Sequence, residues 1–157
     1  MTANRILVMR HAEKPDDPMD PDLSEAGKRR AELLAAYIPQ QFGRPDFLFA
    51  AALSRHSARP IQTLTPLSKA IGVPIDATIA DQDYRALAQE LTTQPRYSGK
   101  LALVCWHHGN IPSLMIALGA ASRSFPDPWD PAVFNLILQV DFAAPEAPKV
   151  VQIVEPF

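Results

Sequence analysis

The sequence predicts an α/β fold, a three-layer sandwich in which a largely parallel central sheet carries helices on both faces. Three observations predict it. Short apolar runs alternate with segments of helical periodicity several times along the chain. The strand-like runs, LALVCW above all, are apolar on both faces, as a sheet covered on two sides requires. A length of 157 residues accommodates one domain with a sizeable core but not two ordinary ones. A single domain spanning 1–157 is therefore expected.

Taken in order, RILVM reads as a buried strand, followed by a loop rich in proline and aspartate. LSEAGKRRAELLAAYI reads as a helix, with Ser24 as N-cap, Glu25 in the first turn and Leu33, Leu34, Tyr37 and Ile38 at helical spacing. DFLFAAAL is a second buried strand. RPIQTLTPLSKAIG is a second helix, with Pro60 in its first turn and Gly72 at its stop, and Pro66 is expected to kink or end it early. VPI is a short strand, DYRALAQEL a short helix and LALVCW a fourth strand. IPSLMIALG repeats apolar residues at helical spacing, and FNLILQVDF and KVVQIVE alternate partially, as strands do.

Composition narrows the function. With 15 Lys+Arg against 17 Asp+Glu the net charge is -2, which lacks the electrostatic footprint of a nucleic-acid or anionic-membrane binder. The one cysteine, Cys105, offers neither an internal disulfide nor a zinc set. With no basic and apolar leader and no run long enough to span a bilayer, a cytoplasmic protein is expected.

Ligands in open α/β sheets bind beyond the carboxyl ends of the strands. Arg10 and His11 leave the first strand there, His107 and His108 leave the fourth, and Arg59 opens a helix behind the second. Two arginines and two histidines gathered at one edge require an anion, and a phosphoryl group fits. Guanidinium matches phosphate oxygens in bidentate geometry, and a neutral imidazole can attack phosphorus. In this reading His11 is the nucleophile, and Arg10, Arg59 and a protonated His108 neutralise the charge that develops on the oxygens. No metal or cofactor is needed. Lys14 is a further candidate for phosphate contact and His56 for the rim. Strand alternation would turn His107 away from His108, toward packing or the rim.

These residues carry a resemblance. An Arg-His pair after the first strand, a helix beginning LSEAGKRRAE, the arginine of RPIQT and an apolar strand running into HG in VCWHHGNIP together resemble the histidine phosphatase superfamily, also called phosphoglycerate mutase-like, in its small phosphatase branch. The resemblance covers most of the chain. It implies His11 as nucleophile, Arg10 and Arg59 as phosphate-pocket arginines and His108 as the second pocket histidine. It also implies a carboxylate acid after the third strand, where Asp83 is preferred to Asp81, with Glu13 beside the nucleophile as another option. Ala12 stands where the family more often has glycine, a small residue that the loop should tolerate. The short segment from Gly72 to Lys100 implies an open site, which suits a phosphatase better than a mutase. The expected substrate is a phosphorylated small molecule or phosphoprotein.

Other readings fit less well. Cys105 lacks the following arginine of a cysteine-dependent phosphatase, and no GxxxxGK[ST] string marks a nucleoside triphosphatase. Adjacent histidines on an extended segment do not easily share a metal ion. A non-catalytic phosphoryl-binding module is the main alternative from another class, and a phosphomutase the alternative among enzymes.

Overall fold

The computed structural model describes residues 3–143 and 145–157. Six strands form one sheet: β1 (Arg5–Arg10), β2 (Phe47–Ala50), β3 (Ile75–Asp76), β4 (Leu101–Trp106), β5 (Leu136–Asp141) and β6 (Lys149–Val154), in the order β3-β2-β4-β1-β5-β6. Four α-helices accompany them: α1 (Glu25–Phe42), α2 (Arg59–Ile71), α3 (Tyr84–Thr93) and α4 (Ile111–Ala117). Leu7, Met9, Leu48, Leu103 and Cys105 pack on one face of the sheet against Leu34 and Ile38 of α1 and Leu64 and Leu67 of α2. Ile6, Val8, Phe49, Val104 and Trp106 pack on the other, against Leu87 and Leu91 of α3 and Leu114 and Met115 of α4. The period-two alternation of β1 and β4 thus feeds two cores, which is why both strands read as unbroken apolar runs.

The sheet is mixed, which corrects the largely parallel expectation. β3, β2, β4 and β1 are parallel neighbours, whereas β5 runs antiparallel to β1 and to β6. The reason lies in the connection after α4. After α4 ends beside Pro148, the irregular segment 118–135 carries the chain back to the carboxyl end of β1, so β5 enters there and runs down. β5 and β6 then form an antiparallel pair, as their partial alternation allows.

Other local signals act as the sequence suggests. Ser24 caps α1, its Oγ accepting from the Gly27 N–H at 3.1 Å. Gly72 ends α2 with φ of 71°, a left-handed position that favours glycine. Pro66 neither kinks α2 into two elements nor ends it, since the helix runs on to Ile71. Among the described residues no helix is long and apolar enough to cross a membrane.

Candidate active site

The register of β1 on β4 builds the centre of the site. Arg10 lies opposite Trp106, and the His11 N–H donates to the Trp106 carbonyl at 3.1 Å, continuing the ladder by one step. The residue brought beside His11 is therefore His107. Their rings meet edge to face, with centroids 5.2 Å apart and planes at 70°. Sequence reasoning missed this because it carried strand alternation past Trp106, where β4 ends. His108 lies in the turn before α4 and lines a cleft of about 300 Å³ with Pro112, Ser113, Asp127 and Trp129.

His11 is only 2% exposed. Its Nδ1 lies 2.7 Å from the Ala12 carbonyl oxygen, which can only accept, so Nδ1 carries the proton and Nε2 the lone pair. Burial pushes its pKa down to about 3, with the charges of Arg10 and Arg59 and the neighbouring His107 adding to that and the Ala12 bond opposing. The ring is held neutral, with one defined tautomer.

The loop around His11 is fixed from two helices. From α2, Thr63 Oγ1 accepts the Ala12 N–H at 2.9 Å and donates to the Arg59 carbonyl at 2.8 Å, tying the His11 loop and Arg59 to one hydroxyl. Gln62 accepts from the Leu23 N–H at 2.9 Å and donates to Asp22 at 2.7 Å, which holds the loop before α1. From α1, the Ser24 N–H and Oγ both donate to the Glu13 carbonyl, at 3.0 and 3.2 Å. Gly27 lies against that same carbonyl, at a place where a Cβ would sit 2.3 Å from the oxygen. Ala12, where the resembled family more often has glycine, is buried with Leu23 and Ala31 and has no positive φ.

The charge of Arg59 acts on Arg10, and among the described residues neither makes a salt bridge, although Glu13 and Asp130 act on Arg10 and Asp20 and Asp22 on Arg59. Arg10 is 2% exposed, donates from Nη1 to the Pro131 carbonyl at 2.6 Å and stacks over the Phe134 ring at 3.9 Å. Arg59 donates from Nη1 to the Asp20 carbonyl at 2.8 Å. The Nε of each is buried with no hydrogen-bond partner among the described residues. Burial lowers the Arg10 pKa to about 10, with the positive charge of Arg59 next in effect. Burial likewise lowers Arg59, His107 and His108, and Arg10 adds to the effect on both histidines. Four basic groups are each held against their positive charge, with two N–H donors unused. A bound anion reverses both penalties at once.

The remaining candidates separate. Asp83 is exposed and makes no side-chain hydrogen bond among the described residues. Asp81 is tied into the site: its Oδ2 accepts from Asn110 Nδ2 at 2.8 Å, its carbonyl accepts from Trp106 Nε1 at 2.9 Å, and its charge acts on His107. Both Glu13 oxygens are occupied by Arg30, at 2.9 and 3.1 Å, and Arg30 also reaches the buried Glu155 at 2.8 Å. Glu13 is thereby a fixed point of the loop. Lys14 is exposed, with its charge felt by His108. His56 is exposed in the turn between Ser54 and Ser57, away from these contacts. Phe134 and the Pro131 carbonyl were not legible, since they reach Arg10 only through the irregular segment before β5. Among the described residues, no three His, Cys, Asp or Glu side chains are grouped to hold a metal ion.

No family model and no curated protein matches the chain. Solved structures do. One is mycobacterial hydrolase 1, with a TM-score of 0.67 at 15% identity over 99% of each chain. Another is a mycobacterial glucosyl-3-phosphoglycerate phosphatase, with a TM-score of 0.64 at 16% identity over 98% of each chain. A third is the protein histidine phosphatase SixA complexed with tungstate, with a TM-score of 0.58 at 17% identity over 96% of each chain. The chain has the histidine phosphatase fold. Within the histidine phosphatase fold of this chain, the carboxyl edge of β1 and β4 carries Arg10, His11 and His107, and α2 brings Arg59 to them.

Proposed function

We propose that this protein is a member of the histidine phosphatase superfamily and a metal-independent phosphatase. It hydrolyses phosphomonoesters or phosphoramidates through a phosphohistidine on His11. The observation that carries the reading is the state of His11: neutral, buried, with Nδ1 bonded to the Ala12 carbonyl and Nε2 left with its lone pair. Attack by Nε2 on phosphorus breaks the bond to the leaving group, and water then attacks the phosphohistidine to release phosphate. Arg10 and Arg59 hold the equatorial oxygens through their unused N–H groups, with His108 on the cleft side and the charge of Lys14 felt there through His108. The substrate is a phosphorylated small molecule or phosphoprotein, a class to which the substrates named for two of the fold's relatives belong. A reducing, cytoplasmic setting suits the buried free Cys105.

The test is hydrolysis of an aryl phosphate in the presence of chelator by the intact protein and by His11→Ala. The reading expects turnover that survives chelator and is lost in the variant. Loss with chelator alone, or full activity in His11→Ala, contradicts it. Tight phosphate binding without turnover of any phosphorylated compound would instead mark a phosphoryl-binding module.

A further inference from the structure

We propose that the cleft beside His108 receives the leaving group and selects one that is compact and positively charged, with Asp127 as the specificity-determining residue; this rests on the phosphatase reading above. Two segments form the cleft, and each is fastened to Arg10 or His11. The first follows β4: His107 meets the His11 ring, and His108, Pro112, Ser113 and Ile116 continue from it as one wall. The second precedes β5: the Val133 carbonyl accepts from Arg10 Nη1 at 3.4 Å and from Trp129 Nε1 at 3.0 Å, and Asp127, Pro128 and Trp129 form the facing wall. A phosphoryl group held at Arg10 and His11 therefore has this cleft as its neighbour.

The lining sets the chemistry. A volume of about 300 Å³ is at the lower end for small-molecule sites and suits a short chain or a single small ring. Pro112, Ile116 and Pro128 offer apolar surface to its carbon atoms. Asp127 is exposed there and makes no salt bridge among the described residues. It is the one lining residue with a standing charge, since burial and the charges of Arg10, Lys14 and His107 favour neutral His108. No lysine or arginine lines the cleft among the described residues. Lys14, whose charge reaches His108, lines a separate hollow with Glu13, Asp16, Asp20 and Asp22. Asp130, on the same segment as Asp127, is a second carboxylate, and its charge acts on Arg10. A leaving group bearing a carboxylate or a second phosphate thus meets like charge and no cation, whereas an ammonium group meets Asp127.

Three phosphate esters of matched length test this: aminoethyl, ethyl and carboxymethyl phosphate, whose distal groups are positive, neutral and negative at neutral pH. Their kcat/KM should fall in that order, with the aminoethyl ester ahead of the carboxymethyl ester by about 10–10²-fold, as a unit charge close to Asp127 in a partly wet site gives. In Asp127→Asn that ratio should shrink by about fivefold or more while the ethyl ester stays within about twofold, a combination that a merely structural change does not produce. Asp127→Lys should reverse the order. The same ranking should appear in Kd by calorimetry, which reads it without turnover. Equal values for the two charged esters, a preference for the carboxymethyl ester, or a ratio unmoved by Asp127→Asn would overturn the assignment. Failure of the underlying reading looks different: His11→Ala would then still hydrolyse the esters, whatever their order.

Discussion

Substituting Gly27 by alanine tests whether α1 sets the position of the loop that carries His11. The added Cβ would lie 2.3 Å from the Glu13 carbonyl oxygen, 3.0 Å from its nitrogen and 3.1 Å from its carbonyl carbon, all backbone atoms that no rotamer change can move aside. Ordinary contact requires about 1 Å more than the shortest of these, so the loop or the helix must retreat by that order. The retreat stretches the bonds from the Ser24 N–H and Oγ to the same carbonyl, at 3.0 and 3.2 Å. Overpacking of this kind costs about 1–3 kcal/mol. Weakening the cap adds up to about 1 kcal/mol, and replacing a helical glycine by alanine returns about 1 kcal/mol. The net expectation is a loss of up to about 3 kcal/mol, read as a lowered midpoint in urea at unchanged slope. Because Glu13 is two residues from His11, a displacement of this size should also lower kcat by about 10²-fold. A variant more stable than the wild type and fully active would refute the reasoning, since helix propensity alone would then decide the outcome.

Other perturbations follow from the same contacts. Arg30→Met leaves Glu155, 3% exposed, without its partner and frees both oxygens of Glu13, so a loss of about 3–5 kcal/mol is expected in denaturant titration. Arg10→Lys keeps a charge but loses the planar fork that meets the Pro131 carbonyl and the Phe134 ring and leaves Nε free for a substrate phosphoryl group; on the proposed function kcat/KM should fall by about 10–10²-fold, the worth of about 1.5–3 kcal/mol in a charge-assisted bond. For pH, unfolded His11 takes up a proton as pH falls through 6.5 whereas folded His11 does so only near 3, so its contribution is stability lost as pH falls across that window. His107 and His108 shift in the same direction, and Glu155, raised to about 7 by burial, acts with opposite sign. The wild-type and His11→Asn stability profiles should therefore converge on acidification from pH 6.5, at up to about 1.4 kcal/mol per pH unit, as followed by urea denaturation at each pH.

Much of this was legible in the chain because local and global signals agree. Ser24 and Gly72 mark helix ends that the structure realises, and the two-faced apolar runs of β1 and β4 identify the centre of the sheet. The placement of His11 followed from the rule for open sheets. What escaped depends on register and on irregular chain. His107 adjoins His11 because Arg10 lies opposite Trp106, a pairing that no single strand encodes. Asp81 rather than Asp83 faces inward because a short 3₁₀ turn over Asp81–Asp83 precedes α3, and one turn is too short to leave a periodic pattern. The reversal of β5 depends on the segment 118–135, whose path toward Arg10 has no repeating signal.

The most direct test of the central claim is a rapid-quench experiment with a phosphorus-labelled aryl phosphate, followed by peptide mapping. The account predicts an acid-labile, base-stable phosphoryl group on the peptide that contains His11, formed at the rate of the first burst of product. Label on any other residue, or a full burst of product with none on His11, would contradict it.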